Sequence, residues 1–207
     1  MTNVLCESPT TERRRFSTEV ARSVAQDFID VLSDYCERIQ IAGSLRRRKP
    51  FLKDVEIIFI PKLRAPRFED KILRTDLFSE PPAINLAERA IANLLEAGLI
   101  TKRPNVNGVT AWGAKNKLAI HVPSGMPVDL FTATPANFFN YLVCRTGGEQ
   151  NNIAIASAAQ ARGWKWNPYG EGFSRPKGLA IEVHPISSER EVFDFVGLPY
   201  LEPWRRT

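Results

Sequence analysis

The stretch GSLRRRKPFLKDVEIIFI, residues 43–60, joins a glycine–serine turn to a strand that opens with two acidic residues. A strand places residues i and i+2 on the same face, so Asp54 and Glu56 project together while the residue between them turns into the core. Two adjacent carboxylates repel each other unless a cation lies between them. The backbone N–H groups at Gly43 and the hydroxyl of Ser44 suit a phosphate. The stretch therefore predicts magnesium-dependent chemistry on a nucleotide.

A third acidic residue lies on a later strand. Asp129 stands between Val128 and Leu130, shortly after a Ser-Gly turn. Its neighbours face the core, so its own side chain faces the other way. Magnesium prefers oxygen ligands, and two ions about 3.5–4 Å apart can serve phosphoryl transfer. The alternative interpretation is that these residues are solvated charges on strands with one wet face.

Length and composition are ordinary for a globular protein. The 207 residues are 43% hydrophobic and 25% charged, enough for one domain or two small ones. No window approaches the roughly 18 apolar residues that span a bilayer, and the polar N-terminus does not resemble a signal peptide. Three dispersed cysteines argue against a disulfide framework or a zinc site. We therefore expect an intracellular protein, cytoplasmic if prokaryotic or viral, with no membrane partner.

The charge balance is compatible with a polyanionic partner. The chain has 28 basic and 23 acidic residues, a net charge of +5, and a pI of about 9.3. Neutralising phosphates with Lys and Arg releases counterions and drives non-specific nucleic-acid binding. A modest positive charge also occurs in proteins that never touch nucleic acid, so charge alone leaves both interpretations open.

The periodicity of apolar residues predicts an α+β chain. Residues 1–16 are polar and basic, and we expect them to form a flexible arm. Helices are predicted over 17–35, 71–77, 86–96, 135–143 and 149–161, with a helical turn over 189–195. Strands are predicted over 39–42, 55–60, 109–112, 117–121 and 127–131, with short ones near 164, 173 and 181. The pattern changes near Pro135, which predicts a sheet-centred half followed by a smaller mixed half.

Taken together, these motifs resemble a known family. The run from Gly43 to Arg47 with Asp54, Glu56 and Asp129 resembles the catalytic palm of the nucleotidyltransferase superfamily. The later motifs resemble the thumb of family X DNA polymerases: Thr146-Gly147-Gly148, Asn152, Gly163, Asn167 to Gly170, and the closing segments 188–195 and 200–203. The resemblance covers residues 17–206. It implies a palm over 17–134, with a mixed sheet and helices on one face, and a small α/β thumb over 135–207.

The resemblance implies an enzyme of the DNA polymerase and nucleotidyltransferase class. Such an enzyme adds nucleotides from (deoxy)nucleoside triphosphates to a nucleic-acid 3′-hydroxyl and releases pyrophosphate, with two Mg²⁺ or Mn²⁺ ions. The expected partners are primer/template, gapped or single-stranded DNA, as in DNA repair, and the expected state is a monomer. The family's lyase domain and helix-hairpin-helix fingers have no counterpart here, so lyase activity is not expected.

The resemblance also carries roles onto matching residues. Asp54 and Glu56 would bind both metal ions, and Asp129 would bind the catalytic ion and help deprotonate the 3′-hydroxyl. Ser44 and Arg47 would hold the triphosphate. The nucleotide-binding set is completed by Gly43, which allows close backbone approach, Gly147 and Gly148, which pass the sugar, and Asn152, which reaches the base edge.

The chain departs from the family pattern at several positions. Glu56 replaces the usual second aspartate, and Cys144-Arg145 replaces an aromatic pair that usually packs on the incoming sugar. Ala156 and Pro127 replace residues that are commonly basic. These departures lead to the hypothesis of relaxed sugar or template selection, with Arg145 contacting nucleic acid directly.

Two other functions stay open at this point. One is template-independent terminal transfer, or transfer to an RNA or small acceptor. The other is a non-catalytic nucleic-acid-binding module, which is disfavoured because three carboxylates repel phosphate unless metal is bound. A set of four aromatic residues either stacks on bases or forms the thumb core, and the core is favoured: Trp164, Trp166, Tyr169 and Phe173.

Overall fold

The computed structural model describes residues 14–67, 82–105 and 107–207. Most of the predicted basic arm and the helix predicted over 71–77 lie outside the described residues. Within these ranges, none of the helices has the length and apolar character that a membrane span requires.

The fold is a mixed α+β fold, as the sequence predicts. The strands are β1 (Phe16–Ser17), β2 (Cys36–Ile41), β3 (Phe51–Leu52), β4 (Val55–Pro61), β5 (Leu63–Arg64), β6 (Ile84–Asn85), β7 (Ile100–Lys102), β8 (Asn116–His121), β9 (Met126–Thr132), β10 (Lys165–Trp166), β11 (Gly172–Lys177) and β12 (Ala180–Pro185). The helices are α1 (Thr18–Leu32), α2 (Gly43–Arg46), α3 (Leu86–Glu96), α4 (Phe138–Thr146), α5 (Glu149–Ala161) and α6 (Glu189–Phe195). Short 3-10 helices lie at Ser33–Tyr35 and Pro203–Arg205.

The central sheet contains five strands in the order β2-β4-β9-β8-β7. β4 and β9 run parallel, and the other neighbouring strands run antiparallel. Parallel neighbours need a crossover connection, and here α3 lies within it. The predicted mixed sheet of the palm is confirmed.

Helices α1 and α3 cover one face of this sheet. The Ser17 side chain accepts a hydrogen bond from the Val20 N–H, and Asn85 Oδ1 accepts one from the Glu88 N–H at 3.0 Å, so polar caps fix both helix starts. The buried side chains of both helices share one core with alternate residues of β4 and β9, namely Val55, Ile57, Phe59, Val128 and Leu130.

The opposite face of the sheet is partly covered by α4. Ile58 of β4 and Phe131 of β9 belong to a separate buried cluster with Tyr141 of α4. Side chains alternate along a strand, so the residues two positions earlier, Glu56 and Asp129, lie on this same face. The acidic residues therefore lie on the side of the palm that α4 approaches.

The C-terminal region has a core of its own. The antiparallel sheet β10-β11-β12 packs with α5 and α6 around Ile155, Phe173 and Phe193. Trp166 and Phe173 are buried, as predicted for core residues, whereas Tyr169 is 52% exposed, so the core prediction is wrong for Tyr169. The ring of Tyr169 packs edge-on against Tyr141 and lies 5.4 Å from the guanidinium carbon of Arg145, at the surface of the protein.

The predicted boundary near Pro135 stays a prediction. Helix α4 contributes to both cores, because its residue Phe138 packs with the palm sheet while Val143 packs with the thumb. Helix α4 thus belongs to both halves.

Two local predictions differ from the structure. Residues 109–112 do not form a strand; Thr110 and Trp112 make only isolated bridges, to Pro104 and Lys117. The strand beside β8 is instead β7, which follows the turn at Gly98. The apolar alternation around Trp112 reflects packing against the palm core rather than a continuous ladder.

Candidate active site

Three carboxylates lie close together where β4 begins, beside the middle of the parallel strand β9. The register of β4 and β9 pairs Val55 with Val128 and Glu56 with Asp129, and Asp54 immediately precedes β4. Neighbouring strands lie about 4.8 Å apart, so register partners on one face are adjacent. The structure therefore brings together the three acidic residues that the sequence singled out.

The three charges act on one another. Burial first, and then the charge of Asp54, raise the pKa of Glu56 to about 7, with Asp129 adding to the rise and Arg145 opposing it. Burial also raises the pKa of Asp129, against the effect of Arg103. Carboxylates with raised pKa values are short of positive charge, and a bound cation would supply it.

Two arginines contact these carboxylates. Arg103, directly after β7, donates a hydrogen bond from Nη2 to Asp129 Oδ1. Arg145, in the last turn of α4, places Nη1 3.6 Å from Glu56 Oε1 and its guanidinium carbon 3.9 Å from the ring centroid of Phe131. The Nε atoms of both arginines are buried and have no hydrogen-bond partner among the described residues. Sequence reasoning assigned Arg145 to nucleic acid and did not identify Arg103.

The glycine–serine turn is a one-turn helix, α2, rather than an open loop. Gly43 has φ +61°, and the residue before it is tied to β4 by a hydrogen bond from the Ala42 N–H to the Glu56 carbonyl at 2.8 Å. A Cβ atom at Gly43 would lie 2.2 Å from Glu56 Oε2. The close approach at Gly43 is therefore made by the Glu56 carboxylate, whose extra methylene relative to aspartate carries it to the turn.

Arg47 connects the palm to the thumb. Its Nη1 donates to the backbone carbonyls of Thr146, at 2.6 Å, and Gly147, at 3.1 Å, and its Nη2 donates to Ser44 Oγ at 3.2 Å. Burial lowers the pKa of Arg47, while Glu56 and Asp54 oppose that effect. The two residues predicted to hold a triphosphate thus lie side by side, directly against the predicted sugar-passing turn.

A buried charge network reinforces this contact. Arg46 donates from Nη2 to Glu189 Oε1 at 2.5 Å and from Nη1 to Thr146 Oγ1 at 2.8 Å. Arg206, which is fully buried, donates to Glu189 Oε2 at 2.8 Å. Burial would raise the pKa of Glu189, but its bonds to both arginines hold that pKa below its usual value. This network is not predictable from the sequence motifs, although Arg46 lies within 43–47 and Glu189 within 188–195.

The remaining predicted residues lie at the start of α5. A Cβ atom at Gly148 would lie 1.9 Å from the backbone carbon of Thr207, and one at Gly147 would lie 2.6 Å from Asn152 Oδ1. Asn152 donates from Nδ2 to the Cys144 carbonyl at 2.9 Å, and its buried Oδ1 has no partner among the described residues. Both glycines therefore serve close packing inside the thumb, and Asn152 keeps one unused acceptor.

The donor set fits magnesium in its chemistry. All three carboxylates offer hard oxygen ligands, and burial together with the charges of Asp54 and Asp129 raises the pKa of Glu56. As the side chains lie, however, no three Asp, Glu, His or Cys residues in the described ranges are gathered around one point that could hold an ion. Arg103 donates a hydrogen bond to Asp129, and Arg145 forms an ion pair with Glu56. A metal ion would have to displace these two guanidinium groups.

Residues 141–207 match the family model of the DNA polymerase beta thumb. The C-terminal region is thus similar to the thumb of DNA polymerase beta, and the predicted resemblance to family X polymerases is confirmed over that region. The match does not extend to the acidic residues of the palm. A search of curated proteins found no match.

Proposed function

We propose that this protein is a family X-type nucleotidyltransferase that adds nucleotides from nucleoside triphosphates to a nucleic-acid 3′-hydroxyl and releases pyrophosphate. The observation that carries the proposal is the pairing of Glu56 with Asp129 beside Asp54. These acids lie on the face of the palm that Arg47 and Arg145 connect to a DNA polymerase beta-type thumb.

Separate groups of residues would bind the triphosphate and the metal ions. Ser44 and Arg47, together with the N–H groups of α2, would hold the triphosphate by charge-assisted hydrogen bonds. Asp54, Glu56 and Asp129 would hold two divalent cations, Mg²⁺ or Mn²⁺. When bound, such ions offset the charge of the triphosphate and lower the pKa of the attacking hydroxyl.

A nucleic-acid-binding module without catalysis is the weaker candidate. Such a module gains nothing from three carboxylates on the surface that would face phosphate, because they reduce its affinity for a polyanion. Burial of ionised Glu56 beside two further acids also costs stability, and a bound cation would reduce that cost.

Relaxed sugar or template selection remains part of the proposal. At the position where the family has an aromatic pair, Arg145 stacks on Phe131 and contacts Glu56, and Cys144 accepts from Asn152. The planar guanidinium of Arg145 thus takes the place of the aromatic pair and also forms an ion pair with Glu56. We expect ribonucleotides and deoxynucleotides to be discriminated only weakly.

The test is extension of a labelled oligonucleotide by the purified full chain. Single-stranded, primed and gapped substrates are each offered deoxy- or ribonucleotides with Mg²⁺ or Mn²⁺. The proposal expects extension by single nucleotides that stops when EDTA is added. Binding of every substrate without extension under any condition would show that the protein is a binding module.

A further inference from the structure

An exposed group of cationic and aromatic side chains lies where the palm meets the thumb. Three of its residues belong to the connection between α2 and β3, and two to the second 3-10 helix: Arg48, Lys49, Phe51, Trp204 and Arg205. All five are exposed, Phe51 at 62% and Trp204 at 46%. We call these five residues the junction surface. None of them belongs to the acidic site or to the predicted nucleotide-binding set.

The palm and thumb parts of this surface meet in a stacked pair. The guanidinium carbon of Arg48 lies 4.2 Å from the centroid of the Trp204 ring. A guanidinium in this position is attracted by the negative face of the indole, and its N–H groups can still donate to an anion. The pair therefore presents a cation beside an aromatic surface, the combination that binds single-stranded nucleic acid.

The backbone of Arg48 is strained. Its φ is +58°, and it is the one residue other than glycine with a positive φ in the part of the chain that the structure describes. Backbone hydrogen bonds hold this conformation, from the Arg48 N–H to the Leu45 carbonyl at 3.0 Å and from the Lys49 N–H to the Ser44 carbonyl at 3.1 Å. Such strain is concentrated at functional sites. Here it occurs at the residue that stacks on Trp204.

The connection that carries Arg48 is fixed along its length. The Thr18 hydroxyl lies 2.9 Å from the Lys49 carbonyl oxygen and 3.1 Å from that of Pro50. Phe51 belongs to β3, which pairs with β1. Phe51 follows Arg48 by three residues, so their Cα atoms are at most about 11 Å apart. Its exposed ring is thus held close to the stacked pair by the fold.

The junction surface is positively charged. Its three cations form no ion pair with any carboxylate in the described ranges: Arg48, Lys49 and Arg205. The exposed acid Glu202 stands two residues before Trp204, which leaves the surface with a net positive charge. Unpaired cations of this kind bind the phosphates of a polyanion and release its counterions.

We propose that the junction surface binds an unpaired, single-stranded segment of nucleic acid. Bases would stack on the two exposed aromatic rings, and phosphates would contact the three cations. Duplex DNA suits the surface less well, because its bases are stacked on one another and do not present their faces to aromatic side chains. The inference goes beyond the proposed catalytic function and does not depend on it. Since Arg47 directly precedes Arg48, the unpaired strand would pass next to the predicted triphosphate site.

The experiment measures binding without metal ions or nucleoside triphosphate. Fluorescence anisotropy follows a 5′-labelled oligothymidylate, either single-stranded or paired with oligoadenylate. Trp204→Leu keeps an apolar side chain and removes the stacking ring, so the Kd for the single strand should rise about tenfold, with a much smaller change for the duplex. The single strand should also quench the tryptophan fluorescence of wild type more than that of Trp204→Leu.

A second variant tests the cation. Arg48→Asn keeps a residue that tolerates the left-handed backbone, so the fold is retained while the charge is lost. The slope of log Kd against log salt for the single strand should become shallower by about 0.7, the value for one phosphate contact. Unfolding temperatures equal to that of wild type would establish that both variants are folded.

Two matched controls come from other parts of the chain. Arg175 also lies over an indole, 4.3 Å from the ring centroid of Trp164, but it is paired with Glu182 at 2.7 Å. Arg175→Gln should therefore leave single-strand binding unchanged. Tyr35 is an aromatic residue with 41% exposure at the opposite end of β2 from α2, and Tyr35→Leu should also have no effect.

Three results would overturn the inference. Unchanged single-strand affinity in both Trp204→Leu and Arg48→Asn would exclude the junction surface from binding. Equal weakening for single strand and duplex would reduce it to a general electrostatic contact. Weaker binding of a nucleoside triphosphate, with oligonucleotide affinity unchanged, would assign the surface to the nucleotide instead.

The outcome can be separated from that of the proposed function. A protein that extends no oligonucleotide, but loses single-strand affinity in Trp204→Leu, retains the junction surface and refutes the polymerase. Extension by a protein whose single-strand affinity is indifferent to Trp204 and Arg48 retains the polymerase and refutes the surface. Absence of both extension and single-strand binding refutes both.

Discussion

Glu56 and Asp129 are register partners on the adjacent parallel strands β4 and β9, so their carboxylates share one face at one level of the sheet. Neither residue is next to the other in the chain; the crossover through α3, β7 and β8 separates them. The pairing is therefore a property of the strand order, and consequences for stability, metal binding and activity depend on it.

The free energy of unfolding should depend on pH because the pKa of Glu56 is raised in the folded protein. Glu56 has a pKa of about 7 in the folded protein, against 4.5 as the reference value. The folded state therefore binds more protons than the unfolded state between these values, and its stability falls as the pH rises from about 4.5 to 7. This contribution is on the order of 3 kcal/mol, fully present at low pH and lost above pH 7. Urea unfolding at several pH values measures it, and Glu56→Gln should flatten the slope whereas the exposed Glu37→Gln should not.

Stabilisation of the folded protein by divalent cations should increase with pH, opposite to the pH dependence of the stability of the metal-free protein. A cation that replaces Arg103 and Arg145 at the carboxylates binds only their ionised form, so Mg²⁺ should raise the unfolding temperature more at pH 8 than at pH 5. Asp54→Asn should remove most of this increase. An equal increase in the variant and in wild type would place the ion somewhere other than the acidic residues.

Gly43→Ala should cost more stability than backbone strain alone because a Cβ atom there would meet the Glu56 carboxylate. Gly43→Ala combines left-handed backbone strain of about 1–2 kcal/mol with the close approach of Glu56 Oε2. Gly98 has a similar φ, +69°, with nothing within 4 Å of its Cβ position, so Gly98→Ala reports the strain alone. Denaturant unfolding should show a larger loss for Gly43→Ala than for Gly98→Ala. Shortening the acid, in the double variant with Glu56→Asp, should recover the difference, and strictly additive losses would contradict the contact.

Glu189 should be essential to the palm–thumb contact. Glu189→Gln leaves Arg46 and the fully buried Arg206 without their anionic partner, which should cost about 3 kcal/mol or more of unfolding free energy. Glu182→Gln removes a surface ion pair with Arg175 and should cost far less. Chemical denaturation of the two variants provides the comparison, and similar losses would mean that the network contributes no more than a surface pair.

Most elements could be predicted because their local signals are strong. The caps at Ser17 and Asn85, the turn at Gly98 and the alternation around Asp129 fix helices α1 and α3 and strand β9 to within a few residues. Strand β7 was missed because three residues are too short for a period to be recognised. Residues 109–112 have a strand-like composition, but their partners contact them only at single bridges.

The candidate site was only partly predictable for a different reason. The spacing of the acidic residues along the strands is recognisable in the sequence. Arg103, after β7, contacts Asp129, and Arg145, in α4, contacts Glu56, and each pair is far apart in the chain. Nothing local in the sequence indicates that these two arginines reach the carboxylates. Arg47 likewise looked free to bind phosphate, yet it donates to the carbonyls of Thr146 and Gly147. The hydrogen-bond and ion-pair partners of these arginines depend on tertiary packing, which the spacing of residues in the sequence does not reveal.

The most direct test of the central claim is nucleotide addition by Asp129→Asn, a substitution that keeps the shape of the side chain and removes its charge. Extension of a labelled oligonucleotide should fall by about 10²-fold or more, while anisotropy shows binding of the same oligonucleotide that is equal to or tighter than that of wild type. Glu37→Gln, which removes an exposed carboxylate from β2, should extend normally. Extension by Asp129→Asn at the wild-type rate would contradict the account.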